Sequence, residues 1–253
     1  MKSLKEIIDW KRRRKDLGVC IAFLASALLL AGAALWAYRQ FIITPPYVDP
    51  ERYPVRGIDV SRHNGLMNLD AAARDGIEFI FIKASEGGET KDPNFRLNYE
   101  KARHAGLKIG AYHFFRFDRD GITQAMNLHD VVKFRHLDLG VAIDVERHGN
   151  ASGVPDDSIR ERLAAMIDYL HLRGYRVTLY SNAEGYYDLL HSDFRGAPLW
   201  VCSFKSMPID REWDFWQYYH HGKVAGIRGD VDLNVFSGSR AEWEEFLSQQ
   251  EAQ

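Results

Sequence analysis

Twenty-two consecutive residues without a charge, 17–38 (LGVCIAFLASALLLAGAALWAY), divide this chain into two unequal parts and limit what each can become. A helix of about 20 apolar residues is long enough to cross the hydrocarbon core of a bilayer. Directly before the run stand Lys11, Arg12, Arg13, Arg14 and Lys15, and only Arg39 follows it closely. Cations collected on one flank keep that flank in the cytoplasm. Residues 1–16 therefore read as a basic cytoplasmic tail and 17–38 as a single-pass signal anchor, with the remainder on the extracytoplasmic side. Trp36 and Tyr38 suit an outer interfacial belt. The competing reading is a cleaved signal peptide processed near Ala31-Gly32-Ala33, but the run exceeds the usual apolar core of about 7–15 residues. Cys20 precedes most of the run, which does not fit a lipoprotein cysteine, and it has no plausible disulfide partner in Cys202.

Residues 39–55 hold Pro45, Pro46, Pro50 and Pro54 and no periodicity, the pattern of a stiff linker. The folded domain is expected over 56–250. Seven Lys/Arg and three acids fall in the first 38 residues, leaving 26 basic and 32 acidic residues in 39–253, a net charge of −6. An acidic domain has no basic face for nucleic acid.

Within that domain, apolar strand-like runs alternate with helical ones. Strands are expected at 55–60, 78–84, 108–115, 139–145 and 175–181, and helices at 68–75, 92–105, 121–136, 156–173 and 183–191. The helix at 156–173 is the clearest. Ile159, Leu163, Met166, Ile167 and Leu170 share one face, Asp156 or Asp157 offers an N-cap and Gly174 a stop. Beyond residue 192 the pattern changes to strands at 198–203, 214–219 and 231–236, closed by a helix at 239–249. Five βα units followed by three strands predict an α/β fold, a modified β/α barrel preceded by one transmembrane helix.

Chemistry in such barrels collects at the C-terminal ends of the strands. There this chain carries Asp59, Lys83 to Glu86, Tyr112, His113, Asp144, Glu146 and Tyr180, with Trp200, Gln217 and Asp232 in comparable places on the late strands. The run Val141 to Ile143 ends in Asp144-Val145-Glu146. Strand side chains alternate faces, so the two acids point the same way. Neighbouring carboxyls raise at least one pKa, and a proton donor beside an anion is what acid-catalysed glycoside cleavage requires. Taken alone, the pair reads more readily as a solvated strand end or a helix cap.

Five segments in order supply the context: Gly57-Ile58-Asp59-Val60-Ser61, Gly110-Ala111-Tyr112-His113-Phe114-Phe115, Asp144-Val145-Glu146, Trp216-Gln217-Tyr218 and Val231-Asp232-Leu233-Asn234-Val235-Phe236. In this order they resemble the family 25 glycoside hydrolases, lysozymes that cut between N-acetylmuramic acid and N-acetylglucosamine, over about residues 56–238. The resemblance implies that Glu146 is the general acid and that Asp144 stabilises positive charge at the anomeric carbon or orients the substrate acetamido group. Asp59 and Asp232 become two further acids of the cleft, and Tyr112, Tyr180, Trp200 and Gln217 substrate contacts. It also implies peptidoglycan strands as the partner, with a monomer and no cofactor expected; together with the anchor read from residues 17–38, the expectation is an enzyme of wall remodelling at a bacterial inner membrane. An i, i+2 separation is wider than the ~5–5.5 Å of direct nucleophilic retaining pairs, so a route through the substrate acetamido group is preferred, with the stereochemistry open.

Other side chains read differently. His113, in an apolar strand, is expected as a hydrogen-bonded core histidine. Lys83 and Glu86 suit an ion pair or a substrate contact. His148, His220 and His221 have no metal-ligand spacing, and no metal is expected. Ser181 lacks a nucleophile elbow, and there is no phosphate-binding glycine loop. The alternatives are a silent peptidoglycan-binding module, which need not keep Asp144 and Glu146, and a metal-dependent polysaccharide deacetylase.

Overall fold

Eight strands close on themselves through parallel pairing of β1 (Arg56–Val60) with β2 (Phe79–Glu86). From β2 the barrel continues through β4 (Lys108–Phe114), β5 (Val141–Asp144), β6 (Val177–Asn182), β7 (Leu199–Cys202) and β8 (Phe215–Gly222), all parallel. The last strand, β9 (Val231–Phe236), runs antiparallel between β8 and β1. This computed structural model describes residues 4–38, 46–204 and 212–251. The first three residues of the expected tail and residues 39–45 of the expected linker lie outside the described residues.

Five helical segments follow the first five barrel strands, as the alternation predicts: α2 (Leu69–Arg74), α3 (Phe95–His104), α4 (Gly121–Val132), α5 (Asp156–Leu172) and α6 (Ala183–Gly185). The last runs into a π-helical turn, Tyr186–Leu190. Two elements were not expected, a 3-10 turn at Arg62–Asn64 and a two-residue strand β3 (Thr90–Lys91) that pairs back on Ser85 and Glu86. The cap of α5 also differs. Pro155 holds the N-cap position without a side-chain bond, and Asp156 and Asp157 fall in the first turn, where their charge suits the helix dipole. Asp156 is taken instead by Arg147 Nη2, 3.0 Å away.

Alternation along the strands divides the core. Ile58, Val60, Ile80, Ile82, Ile109, Val141 and Ile143 face the helices. Inside the barrel, Phe79, Phe81, Ala142, Tyr180, Trp200, Phe215 and Phe236 form a second cluster. Two glycines make room for it. A Cβ on Gly57 would lie 2.3 Å from the Phe79 ring, and one on Gly110 equally 2.3 Å from Phe81. The final helix α7 (Arg240–Glu251) closes the floor, with Trp243 5.6 Å from Phe79 and Phe246 5.5 Å from Phe215 between ring centroids. The end bearing the acids stays open.

Among the described residues no helix separates β7, β8 and β9, so their outer face needs another cover. Residues 46–55 provide it. Val48 and Tyr53 pack on Val201, Trp216 and Val235, and the Tyr53 ring lies 5.6 Å from Trp213 and 6.2 Å from Trp216. Arg240 Nη2 donates to the Pro54 carbonyl at 3.1 Å. Residues 46–55 of the expected linker accordingly belong to the same compact unit as the barrel and form a strap on its wall.

The N-terminal unit holds one helix, α1 (Leu4–Tyr38). Its segment Leu17–Trp36 has mean hydropathy 2.3 and no burial. Twenty residues at about 1.5 Å each span roughly 30 Å, the thickness of a bilayer core. The helix begins at Leu4 and so runs through the basic tail, because residues 4–17 are mostly good helix formers with no Gly or Pro.

Candidate active site

Asp144 is the last residue of β5, and the extended backbone continues one step further, where the Val145 N–H donates to the Tyr180 carbonyl at 2.9 Å. The next side chain on Asp144's side is Glu146. Two side chains clamp this turn, the buried Ser181 and the half-buried Asn150. Ser181 Oγ donates to the Val145 carbonyl at 2.6 Å, and Asn150 Nδ2 donates to the Glu146 carbonyl at 2.9 Å. Gly185 is required beside them, since a Cβ there would lie 2.3 Å from Ser181 Oγ.

Asp59 reaches the same end of the barrel from β1 and stands opposite Asp232 of β9 in register. Asp59 Oδ2 accepts from Gln217 Nε2 and from Asn234 Nδ2, each at 2.8 Å. Tyr180 Oη donates to Gln217 Oε1, and Trp200 Nε1 to Asn234 Oδ1, again at 2.8 Å. Tyr112 sits above, its ring edge-on to Trp200 at 6.3 Å, and burial, then the charges of Asp59, Asp144 and Asp232, raise its hydroxyl well above the ordinary pKa. All eight residues singled out in the sequence thus belong to one end of the barrel. Trp200 is 2% exposed and stacks on Phe81 at 4.4 Å, so it lies beneath the cleft with no free face for a sugar. Asn234, Ser181 and Asn150 were missed. For Asn234 a signal existed, because it is two residues from Asp232 on an alternating strand.

The four acids perturb one another. Burial, then the charge of Glu146, pushes Asp144 well above the carboxylate range, against the pull of Lys83. Its Oδ1 is sealed from solvent with no hydrogen-bond partner among the described residues, which disfavours the ionised form. Burial and Asp59 raise Glu146 while His148 lowers it. Asp59 rises by burial to about 6, even with its two amide donors lowering it. Asp232 rises by burial and the Asp59 charge to about 8. Carboxyls gathered in one water-poor cleft cannot all ionise near neutrality, so protons remain available on some of them.

The neighbouring groups have settled roles. Lys83 Nζ pairs with Glu86 Oε2 at 2.8 Å, and Arg116 Nη2 with Glu86 Oε1 at 2.6 Å, and these two cations outweigh burial to keep Glu86 below its ordinary pKa. A bulge between Lys83 and Ser85 in the pairing with β4 brings Ser85 opposite His113. His113 is fully buried, its Nδ1 2.8 Å from Ser85 Oγ and its Nε2 3.2 Å from Gln124 Oε1, and burial holds its pKa down at about 4. It is the core histidine expected. Beside Glu146 opens a cavity of about 870 Å³ walled by His148, Tyr180, Asn182, Cys202, Phe204 and His220. Its mix of acids, amides and ring faces suits a carbohydrate.

Comparison with known proteins agrees with this chemistry. The family model described as glycosyl hydrolases family 25 matches residues 58–227. The autolytic lysozyme of Clostridium acetobutylicum is 35% identical over 185 residues, which cover 72% of this chain and 56% of that protein. Lysozyme M1 of Streptomyces globisporus is 32% identical over 207 residues, 74% of this chain and 69% of its own. The structure of a family 25 glycosyl hydrolase from Bacillus anthracis superposes with a TM-score of 0.73 at 31% identity, covering 80% of this chain and 97% of that one. With the barrel, the site and the matches in agreement, the chain belongs to glycosyl hydrolases family 25 and is a glycoside hydrolase.

Proposed function

We propose that the chain is a membrane-anchored muramidase that hydrolyses the β-1,4 bond between N-acetylmuramic acid and N-acetylglucosamine in peptidoglycan. The observation that carries this reading is the placement of Asp144 and Glu146 on one side of the β5 end, both shifted toward their protonated forms. Glu146, the less buried of the two, gives its proton to the glycosidic oxygen as the bond to the anomeric carbon breaks. Asp144 orients the acetamido group, whose oxygen attacks that carbon. Water then opens the cyclic intermediate and returns a proton to Glu146. Asp59, Asp232 and Tyr112 line the cleft, and Tyr180 and Gln217 border it. The names of the two lysozyme relatives support peptidoglycan as the substrate.

The apolar helix supports an inner-membrane anchor, with the barrel outside the cytoplasm where peptidoglycan lies. Cutting is then confined to glycan near the membrane, which suits wall remodelling. The test is digestion of purified peptidoglycan by the full chain in detergent micelles, followed by reduction and mass analysis of the new ends. Reducing N-acetylmuramic acid is expected. Reducing N-acetylglucosamine would assign a different bond, and glycan retained uncut would make the barrel a binding module. Recovery of full-length chain from the membrane fraction tests the anchor, and a product lacking residues 1–33 would replace it with a cleaved signal.

A further inference from the structure

Asp59 is held by two amides that are themselves held. An indole N–H can only donate, so Asn234 must turn its Oδ1 to Trp200 and its Nδ2 to Asp59. On the other side the Tyr180 hydroxyl occupies Gln217 Oε1, and Gln217 Nε2 reaches the same Asp59 oxygen. A free amide flips easily because its oxygen and nitrogen are nearly equal in shape. Here a flipped Asn234 would oppose an N–H to an N–H and a carbonyl to a carboxyl oxygen. The whole chain of bonds is sealed, with Asn234 1%, Trp200 2%, Gln217 5%, Asp59 6% and Tyr180 8% exposed. The stack of Trp200 on Phe81 keeps the indole from swinging away.

We propose that Trp200 and Asn234 are positioning residues which, with Tyr180 and Gln217, saturate Asp59 Oδ2 and leave Oδ1 as the single atom through which Asp59 meets the sugar. The proposal rests on the acidic cluster being the glycan-cleaving site. Among the described residues no side chain donates to Oδ1, and that atom is not sealed as Asp144 Oδ1 is. A proton on Asp59 must then sit on Oδ1, because Oδ2 already accepts twice. Below its titration midpoint Asp59 offers the substrate an O–H donor, and above it a lone acceptor. Both amide bonds favour the charged form, so removing one moves that midpoint up.

The experiment uses the full chain in micelles and follows peptidoglycan turnover from pH 4 to 9. Trp200→Phe keeps a ring over Phe81 and deletes the N–H. It is expected to lower kcat by up to about tenfold, the upper end of the worth of a neutral hydrogen bond, with KM little changed. The limb of the pH profile that follows Asp59 should move up by about one unit. Asn234→Leu should do the same, and more strongly. In the wild-type chain the indole N–H resonance of Trp200 is expected to titrate with a midpoint near 6 and to stop doing so in Asp59→Asn. A folded Trp200→Phe with unchanged kcat and pH profile overturns the proposal. If that variant does not fold, a wild-type indole resonance flat across this range overturns it instead. A wild-type chain that cuts no glycan refutes the assignment of the site, while the indole titration still reports separately on the bonded chain.

Discussion

Asp59 of β1 stands directly opposite Asp232 of β9 across the antiparallel pairing of the first and last strands. Cross-strand partners have their Cβ atoms about 4.5–5.5 Å apart, where like charges repel. Burial raises Asp59 to about 6, and burial together with the charge of Asp59 raises Asp232 to about 8. Raised carboxyl pKa values mean that the folded chain binds more protons than the unfolded one between about pH 4 and 8. Stability therefore falls as pH rises through that window. Asp232→Asn removes the larger shift and should stabilise the barrel at pH 8 by on the order of 1–3 kcal/mol, while changing little at pH 4. Thermal unfolding of both forms at the two pH values checks this, and an equal effect at both would contradict it.

Glu146 and Asp144 should separate kinetically. Glu146→Gln keeps the shape but removes the proton, and kcat on peptidoglycan should fall by about 10²–10⁴ with KM nearly unchanged. An aryl glycoside whose leaving group needs no protonation should recover most of that loss in Glu146→Gln. Asp144→Asn should stay slow on both substrates, because its part lies at the anomeric carbon. Equal losses for the two variants on the aryl substrate would reassign the acid.

The barrel was legible because its strands are buried on both faces and read as continuous apolar runs, with acids appearing only where they end. Asp144, Glu146, Asp59 and Asp232 stood out for the same reason. What stayed hidden depends on partners distant in sequence. Asn234 looks like any strand amide until Trp200 and Asp59 are seen on either side of it. Trp200 looked like a sugar platform because an aromatic at a strand end gives no sign of the Phe81 ring stacked on it. The prolines near residue 50 looked like a spacer, since Tyr53 meets Trp213 and Trp216 only after the barrel has closed.

That strap carries its own prediction. Trp216 is 6% exposed, and Val48 and Tyr53 pack over it on a wall that carries no helix among the described residues. Tyr53→Ala opens a gap against two indoles and should cost about 1–3 kcal/mol, readable as a lower urea midpoint. A chain starting at residue 56 should be less stable than one starting at 46 and should have redder tryptophan emission. If both chains unfold at the same denaturant concentration, the strap is only a spacer.

Gly57 and Phe79 test the interior in the same terms. The two face each other across β1 and β2 in register, and the ring occupies the space a Cβ on residue 57 would need. Gly57→Ala should therefore destabilise by about 1–3 kcal/mol or more through overpacking. Phe79→Leu alone should lose stability by leaving a void between Phe81, Phe215 and Trp243. Combined, the smaller side chain makes room for the new methyl, so the double variant should be more stable than the sum of the two losses allows, by about 0.5–3 kcal/mol in a double-mutant cycle. Because Asp59 is two residues further along β1, the same cycle read in kcat shows how far the floor of the barrel sets its active end. Strict additivity in unfolding free energy would mean that Phe79 is not what requires glycine at position 57.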